Sequence, residues 1–349
     1  MKLALEIAGC LMIAFTFLPM IRTTKWWIRI LDFPRFQIAI IITAILLLYL
    51  ITYRLESSLE YVFVVALIGC WILQARYIYP FTFLSPKPAK RCTEPDPENT
   101  IRLMISNIKM SNKNTGKFLE IVKQNKPDML LVNEPNNWWA EHLSELDKDY
   151  PYSVKKPLEN TYGMMLFSKL EFIKANVQFL LESDIPSIHT ILKLRSGEEI
   201  EFCGVHPQPP TIGSDTDKRE AELLVVGKSV KESKRASIVA GDLNDVGWSH
   251  TTKLFERISG LLDPRIGRGF FNTYNVFVPF FRYPLDHVFY DPRFKLSKLE
   301  RLPKFGSDHF PILIELVYKP EEKHEQQPKK ADHEDKKEAA ELIEKGMES

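Results

Sequence analysis

The chain has 349 residues, 45% of them hydrophobic, with 46 Lys and Arg against 45 Asp and Glu, so its formal charge is +1. Near-neutrality gives no electrostatic sign of a nucleic-acid-binding surface, which shows as a basic excess. Cys10 and Cys70 lie in apolar runs, and Cys92 and Cys203 stand far apart, which excludes a disulfide framework and gives no zinc-ligand spacing.

Three apolar segments open the chain, about residues 3–21, 36–53 and 61–79. Each approaches the roughly 20 residues needed to cross a hydrocarbon core. Trp26, Trp27, Tyr53, Tyr61, Tyr77 and Tyr79 mark their ends as aromatic anchors. The first segment lacks a small-x-small cleavage site and two more follow it, so a retained helix is predicted over a cleaved signal peptide. Arg22, Lys25, Arg29 and Arg35 follow the first span, and Arg76, Lys87, Lys90 and Arg91 follow the third. Only Lys2 and Arg54 lie on the opposite side. The positive-inside rule then predicts an inner or plasma membrane protein whose remaining domain is cytoplasmic. A cleaved first segment would require that topology to be redrawn.

Residues 81–99 hold several prolines among mixed charges and read as an extended linker. Residues 319–349 are dominated by Glu, Lys, Asp and Gln, and predict a charged disordered tail with at most a transient helix over Ala339–Lys345, to which no function is assigned. Between them, residues 100–318 mix short β-rich runs with helical spacing. Strands are predicted at IRLMISNI, DMLLVNE, GMMLFS, IHTILKL, IEFCGVH, SIVAGDLN, LDHVFY and HFPILIELVY. Helices are predicted at about 116–125, 138–146, 217–232 and 250–258. The Arg195-Ser-Gly-Glu turn predicts a hairpin, and the whole reads as an α/β domain with antiparallel elements.

Six of these strands begin or end in a polar side chain that packing does not need: Asn107, Glu134, His206, Asp242 with Asn244, Asp286, and Asp308 with His309. Each alone has a structural explanation, such as an Asx-turn at Asp242 or a solvated acid at Glu134. Their recurrence favours a site built on loops at one sheet edge. Glu134, Asp242, Asp308, Asn107 and Asn244 are hard oxygen donors suited to Mg²⁺ or Mn²⁺. No phosphate-binding glycine loop, nucleophile elbow or cysteine nucleophile motif accompanies them. Such a set suits metal-assisted attack of water on a phosphate ester.

Ser-Asn-Ile, Asn-Glu, Gly-Met-Met-Leu-Phe-Ser-Lys, Val-His-Pro, Gly-Asp-Leu-Asn, Leu-Asp-His and Ser-Asp-His-Phe-Pro, in this order, resemble the endonuclease/exonuclease/phosphatase superfamily over residues 101–318. The resemblance implies a DNase I-like four-layer α/β/β/α sandwich and a divalent-metal-dependent hydrolase. It implies Glu134 as principal metal ligand, with Asn107 and Asp308 completing the site. His309 would contact the scissile phosphate, oriented by Asp286. Asp242 would orient or deprotonate water, Asn244 would bind a phosphoryl oxygen, and His206 would assist at the phosphate. Lys109 stands where repair-type relatives often carry an acid, Asn133-Glu134 replaces their Gln-Glu, and residues 280–285 lack their Trp-containing run. These departures weaken a DNA-repair reading without touching the metal set. The substrates implied are nucleic acid or, given the membrane segment, a phospholipid head group. A non-catalytic membrane scaffold is disfavoured because the acidic and imidazole set is complete. Trp138-Trp139 and Phe270-Phe271 could stack on bases or meet lipid, but packing is the expected role.

Overall fold

A computed structural model describes residues 1–349. The apolar segments form α1 (Lys2–Phe17), a short α2 (Trp26–Arg29), α3 (Arg35–Thr52) and α4 (Ser58–Ile78). Three of them, α1 and α4 extended by terminal turns and α3 as it stands, are long and apolar enough to cross a membrane. They pack on one another through Met12, Ile42, Ile45 and Leu67. Ile51, Leu59 and Val65 point outward and are more than half exposed. An apolar exterior around an apolar seam is what a lipid-facing bundle requires.

The domain that follows is two sheets packed face to face. Its elements, in chain order, are β1 (Thr100–Asn107), α5 (Thr115–Asn125), β2 (Met129–Asn133), α6 (Asn137–His142), β3 (Tyr152–Lys156), β4 (Met164–Ser168), β5 (Phe172–Gln178), β6 (Ser187–Lys193), β7 (Glu199–Gly204), α7 (Asp217–Glu232), β8 (Ala236–Asp242), α8 (His250–Ser259), β9 (Asp286–Tyr290), β10 (Phe294–Arg301) and β11 (Ile312–Tyr318). One sheet has the order β10-β11-β1-β2-β4-β3, the other β5-β6-β7-β8-β9. Alternation sends Leu103 and Ile105 of β1 inward against Phe202, Ile238 and Val288, while Met104 faces the opposite way, with Phe118 and Trp139 of the outer helices. Leu223 and Val226 of α7 and Phe255 of α8 cover the other sheet at Phe289. This is the predicted four-layer sandwich, and the Arg195 turn joins antiparallel β6 and β7.

Three strands escape a reading of apolar runs. Strands β3 and β5 are edge strands, β3 half-buried and β5 mostly exposed, and β10 is charge-rich and bulged at Leu296/Lys298. An edge strand needs only one apolar face and often carries charge on the other, so its pattern is weak.

Two segments outside the sandwich are more closely packed than their composition suggests. The tail is not disordered throughout: α9 (His333–Glu348) starts on an Asp332/Asp335 capping box. Its Ala339, Leu342 and Ile343 pack on Leu224, Leu254 and Ile258 of α7 and α8. Ion pairs from Asp335 to Arg257 and from Lys345 to Asp217 flank that contact. Three apolar residues at i, i+3 and i+4 suffice here because a receiving groove exists, which composition does not reveal. The Pro-rich linker is likewise strapped to the domain. Ala89 is wholly buried, its carbonyl accepts from the Arg268 guanidinium, and Phe81 lies edge-on to Trp248.

Candidate active site

Strands β1 and β2 run parallel with Asn107 level with Asn133, and β7 and β8 run parallel in the other sheet. Parallel pairing brings their C-terminal ends to one edge, where the antiparallel β9 begins, with Asp286 opposite Asp242. The polar strand ends identified in the sequence therefore converge at one end of the sandwich.

Asn107 joins the two sheets. Its amide nitrogen donates to Glu134 Oε1 at 2.7 Å and to Asp242 Oδ2 at 3.0 Å, and its oxygen accepts from the Lys109 amide at 2.9 Å. Glu134 Oε2 accepts from the Met110 amide at 3.2 Å. His309 lies between two acids, with Nδ1 2.8 Å from Asp286 Oδ2 and Nε2 3.5 Å from Asp242 Oδ2. His206 Nε2 is 3.9 Å from the same Asp242 oxygen, and its Nδ1 has no protein partner. The Ser307 hydroxyl donates to the Asn107 carbonyl and accepts from the His309 amide, which fixes the Ser-Asp-His turn onto β1.

Two residues of the set are turned elsewhere. Asn244 donates its side-chain amide to the Pro207 carbonyl at 2.9 Å, while its backbone amide binds Asp242 Oδ1. The Asp308 carboxylate is 3.0 Å from the Lys109 ammonium.

The backbone is bent to reach these positions. Lys109, Glu134 and Asn244 all have positive φ, at 56°, 64° and 51°. Such conformations cost on the order of 1–3 kcal/mol each in non-glycine residues and concentrate at functional sites. Gly241 has φ of 147°, and a Cβ there would lie 1.9 Å from the Val205 carbonyl oxygen. Only glycine lets β8 deliver Asp242 beside His206.

Burial raises the Glu134 carboxyl, opposed by its bonds to Asn107 and Met110. Burial also raises Asp242, opposed by the His309 charge, and lowers His206 toward the neutral form. For His309 burial works downward, but Asp286 and Asp242 outweigh it and push the imidazolium up to about 10. A charged His309 faces a neutral His206 across Asp242.

Glu134, Asp242, Asp286 and Asp308 set four carboxylates against two cations, Lys109 and His309. The formal surplus is about that of one divalent cation, and oxygen donors suit Mg²⁺ or Mn²⁺. Asp242, Asp286 and His309 also approach closely enough to form a ligand cluster by geometry alone. Within that trio, His309 Nδ1 is already engaged by Asp286 Oδ2. Glu134 and Asn107 lie beside it with oxygen donors of their own.

Sequence reading missed several neighbours. Tyr274 and Tyr162 flank the imidazoles of His309 and His206, with ring centroids 5.0 and 5.5 Å away. Lys109, read in the sequence only as a departure from the repair-type pattern, binds Asn107 through its amide and Asp308 through its ammonium. His287, adjacent to Asp286, points to the opposite face and is held by Arg265 and the Asp245 carbonyl. Trp139 is buried against Phe118, and Trp138 stacks on His142, so both pack as expected.

A sandwich with its acids and imidazoles gathered at one end is the architecture of a phosphoesterase. The chain belongs to the Endonuclease/Exonuclease/phosphatase family, whose profile matches residues 104–309. Its fold is similar to that of an endonuclease/exonuclease/phosphatase from Bacteroides vulgatus, at 15% identity and a TM-score of 0.54, over 63% of this chain and 99% of that one. It is also similar to D. rerio TDP2 complexed with single strand DNA product, at 14% identity and a TM-score of 0.52, over 62% and 98% of the two chains. The human Nocturnin catalytic domain gives 16% identity and a TM-score of 0.50, over 67% and 96%. No curated protein sequence matches the chain.

Proposed function

We propose that this protein is a membrane-anchored, divalent-metal-dependent phosphoesterase that hydrolyses phosphodiester bonds by attack of water. The observation that carries this reading is Asn107 bridging Glu134 and Asp242, with His309 set between Asp242 and Asp286. Glu134, Asn107 and Asp308 would hold Mg²⁺, or Mn²⁺ in its place. A half-turn of the Asn107 amide presents its oxygen where its nitrogen now lies. Lys109 competes with the ion for Asp308. When bound, the ion polarises a phosphoryl oxygen and offsets charge as it develops.

The chain's own groups supply the remaining chemistry. Asp242, raised by burial, orients the attacking water and takes its proton. The His309 imidazolium, held by Asp286, donates Nε2–H to a phosphoryl oxygen. His206 donates a hydrogen bond at the leaving oxygen, and Asn244 turns from Pro207 to a phosphoryl oxygen. The test is hydrolysis of bis-nitrophenyl phosphate by the full chain. Activity should require Mg²⁺ or Mn²⁺ and disappear in Asp242→Ala and His309→Ala. Full activity in either variant, or activity with metal chelated, sinks the mechanism.

The anchor is read from the three apolar helices, and the basic loops support a cytoplasmic catalytic domain. A C-terminal reporter active only in the periplasm would refute that side.

The TDP2 neighbour with its DNA product supports a nuclease-like substrate. One observation favours a lipid ester instead. The loop after Tyr274 binds the Asp308 carbonyl through the Val276 amide, then exposes Phe277, Val278, Phe280 and Phe281. The Phe280 carbonyl accepts from Gln37 Nε2, near the start of α3, at 2.5 Å. One loop thus touches the candidate site, bears exposed aromatics and meets a membrane helix. Phospholipid vesicles and oligonucleotides offered in parallel decide between the readings. Phe280→Ser/Phe281→Ser should lower turnover of vesicles alone if the substrate is lipid.

A further inference from the structure

A second polar cavity, away from the strand ends, lies between the domain-side ends of α1, α3 and α4 and the face of α8. It has a volume of about 560 Å³. Its cations are Arg22, Arg29, Arg35, Arg76, Lys253 and Arg257, joined by His250, and Asp32 is its only carboxylate. Several of these charges are already engaged. Arg29 and Arg35 share Asp32, at 3.1 and 2.7 Å. Arg257 reaches Asp335 at 2.9 Å, and Glu338 serves His250 at 2.7 Å and Arg22 at 3.8 Å. Arg76 and Lys253 have no carboxylate partner. Lys253 stands instead over the Tyr77 ring, 4.3 Å from its centroid. Burial, reinforced by nearby Lys329, outweighs Glu256 and Asp32 and pulls its ammonium down to about 8.

The depth of the cavity identifies what could fill it. Arg76 and Tyr77 lie in the last turns of α4, Ile21 follows α1, and Arg35 opens α3. All mark the level where the spans meet the catalytic domain, which in a bilayer is the head-group layer. Met20 and Ile21, on the cavity wall, are 48% and 52% exposed, and Leu73 of α4 also lines it. A phosphate at the cations would therefore have apolar side chains leading away from it along the helices. Basic pockets between spans at this depth suit anionic head groups.

We propose that this cavity holds the phosphate of an anionic phospholipid from the leaflet beside the catalytic domain, with Arg76 and Lys253 as its cationic partners. The acyl chains run past Ile21 and Leu73 into the bilayer. The proposal rests on the membrane-spanning reading of the three helices and is independent of the phosphoesterase chemistry. Its consequence is architectural: the lipid fastens α8 of the catalytic domain to the ends of α1 and α4.

The experiment uses the full chain in nanodiscs of phosphatidylcholine with or without phosphatidylglycerol, and counts retained lipid by native mass spectrometry. The wild type should retain phosphatidylglycerol preferentially. Arg76→Gln alone should weaken that preference about fivefold, and Arg76→Gln/Lys253→Gln by about tenfold or more. Lys253→Arg should keep it, and Arg54→Gln, on the opposite membrane face, should leave it unchanged. Hydrolysis of bis-nitrophenyl phosphate in each variant verifies folding. Undiminished retention in the double variant overturns the proposal. So does equal thermal protection by inorganic phosphate in lipid-free detergent, which would assign the cavity to the free ion. A chain that does not enter the discs overturns the spanning helices and the proposal with them. A chain that inserts but holds both lipids alike overturns the pocket alone.

Discussion

His309 Nδ1 lies 2.8 Å from Asp286 Oδ2, both side chains are buried, and the pair joins the Ser-Asp-His turn before β11 to the first residue of β9. The bond fixes the ring, so that Nε2 faces Asp242. Asp286→Asn keeps the shape and removes the charge. In assays on bis-nitrophenyl phosphate, kcat should fall about a hundredfold or more with KM little changed, the range of a lost acid–base contribution. Asp286→Glu should recover part of it. An unchanged kcat in Asp286→Asn would show that His309 does not depend on its partner.

Glu134 and Lys109 make opposite predictions for ion affinity. Glu134→Gln removes the carboxylate proposed as the principal ligand, and calorimetric Mn²⁺ affinity should drop at least about tenfold. Lys109→Met frees Asp308 from its ammonium partner, and affinity should rise. Should Asp286→Asn abolish binding while Glu134→Gln leaves it intact, the ion belongs to the Asp242, Asp286 and His309 cluster.

Glu222 of α7 is buried, with one carboxyl oxygen unpartnered, and burial beside Glu182 pushes it up to about 8. A folded-state value above the ordinary 4.5 means that the native state binds the extra proton. Stability is then fully present below about pH 4.5, declines as pH rises toward 8, and levels off beyond it. Glu222→Gln should flatten that slope and raise the unfolding midpoint at pH 8. Equal slopes in the two proteins would refute it.

Ala339 is 1% exposed between Leu224, Leu254 and Ile258. Ala339→Asp buries a charge with no partner there and should cost about 2–4 kcal/mol or release α9 altogether. Limited proteolysis distinguishes the outcomes, since a released helix is cut near residue 330. Resistance equal to the wild type, with an unchanged unfolding midpoint, would mean that α9 is not packed there.

The sandwich was legible because its core strands break their apolar alternation at the strand ends. Asn107, Asp242 and Asp286 stand where packing has no use for an amide or an acid, so each is visible singly. Their meeting is visible only through order along the chain. What stayed hidden depends on partners distant in sequence. The charge on Lys109 looks like any surface lysine until Asp308 is placed beside it, 199 residues on. Tyr274 reads as a loop aromatic until it lies against His309. The strands β3, β5 and β10 carry edge polarity, and the three apolar residues of α9 are outnumbered by charges whose counter-ions lie on α7 and α8.

Helix α9 also touches the other end of the chain. Lys345 reaches the Thr24 hydroxyl as well as Asp217, and Glu338 reaches Arg22. Residues beyond 330 leave the ribosome after every group they engage, when the loop behind the first span has long been made. These α9 contacts therefore form only after the sandwich itself has been made. A chain released before α9 can carry every residue of the candidate site and keep the Lys25–Asp215 and Thr216–Thr24 contacts, yet lack this additional clasp.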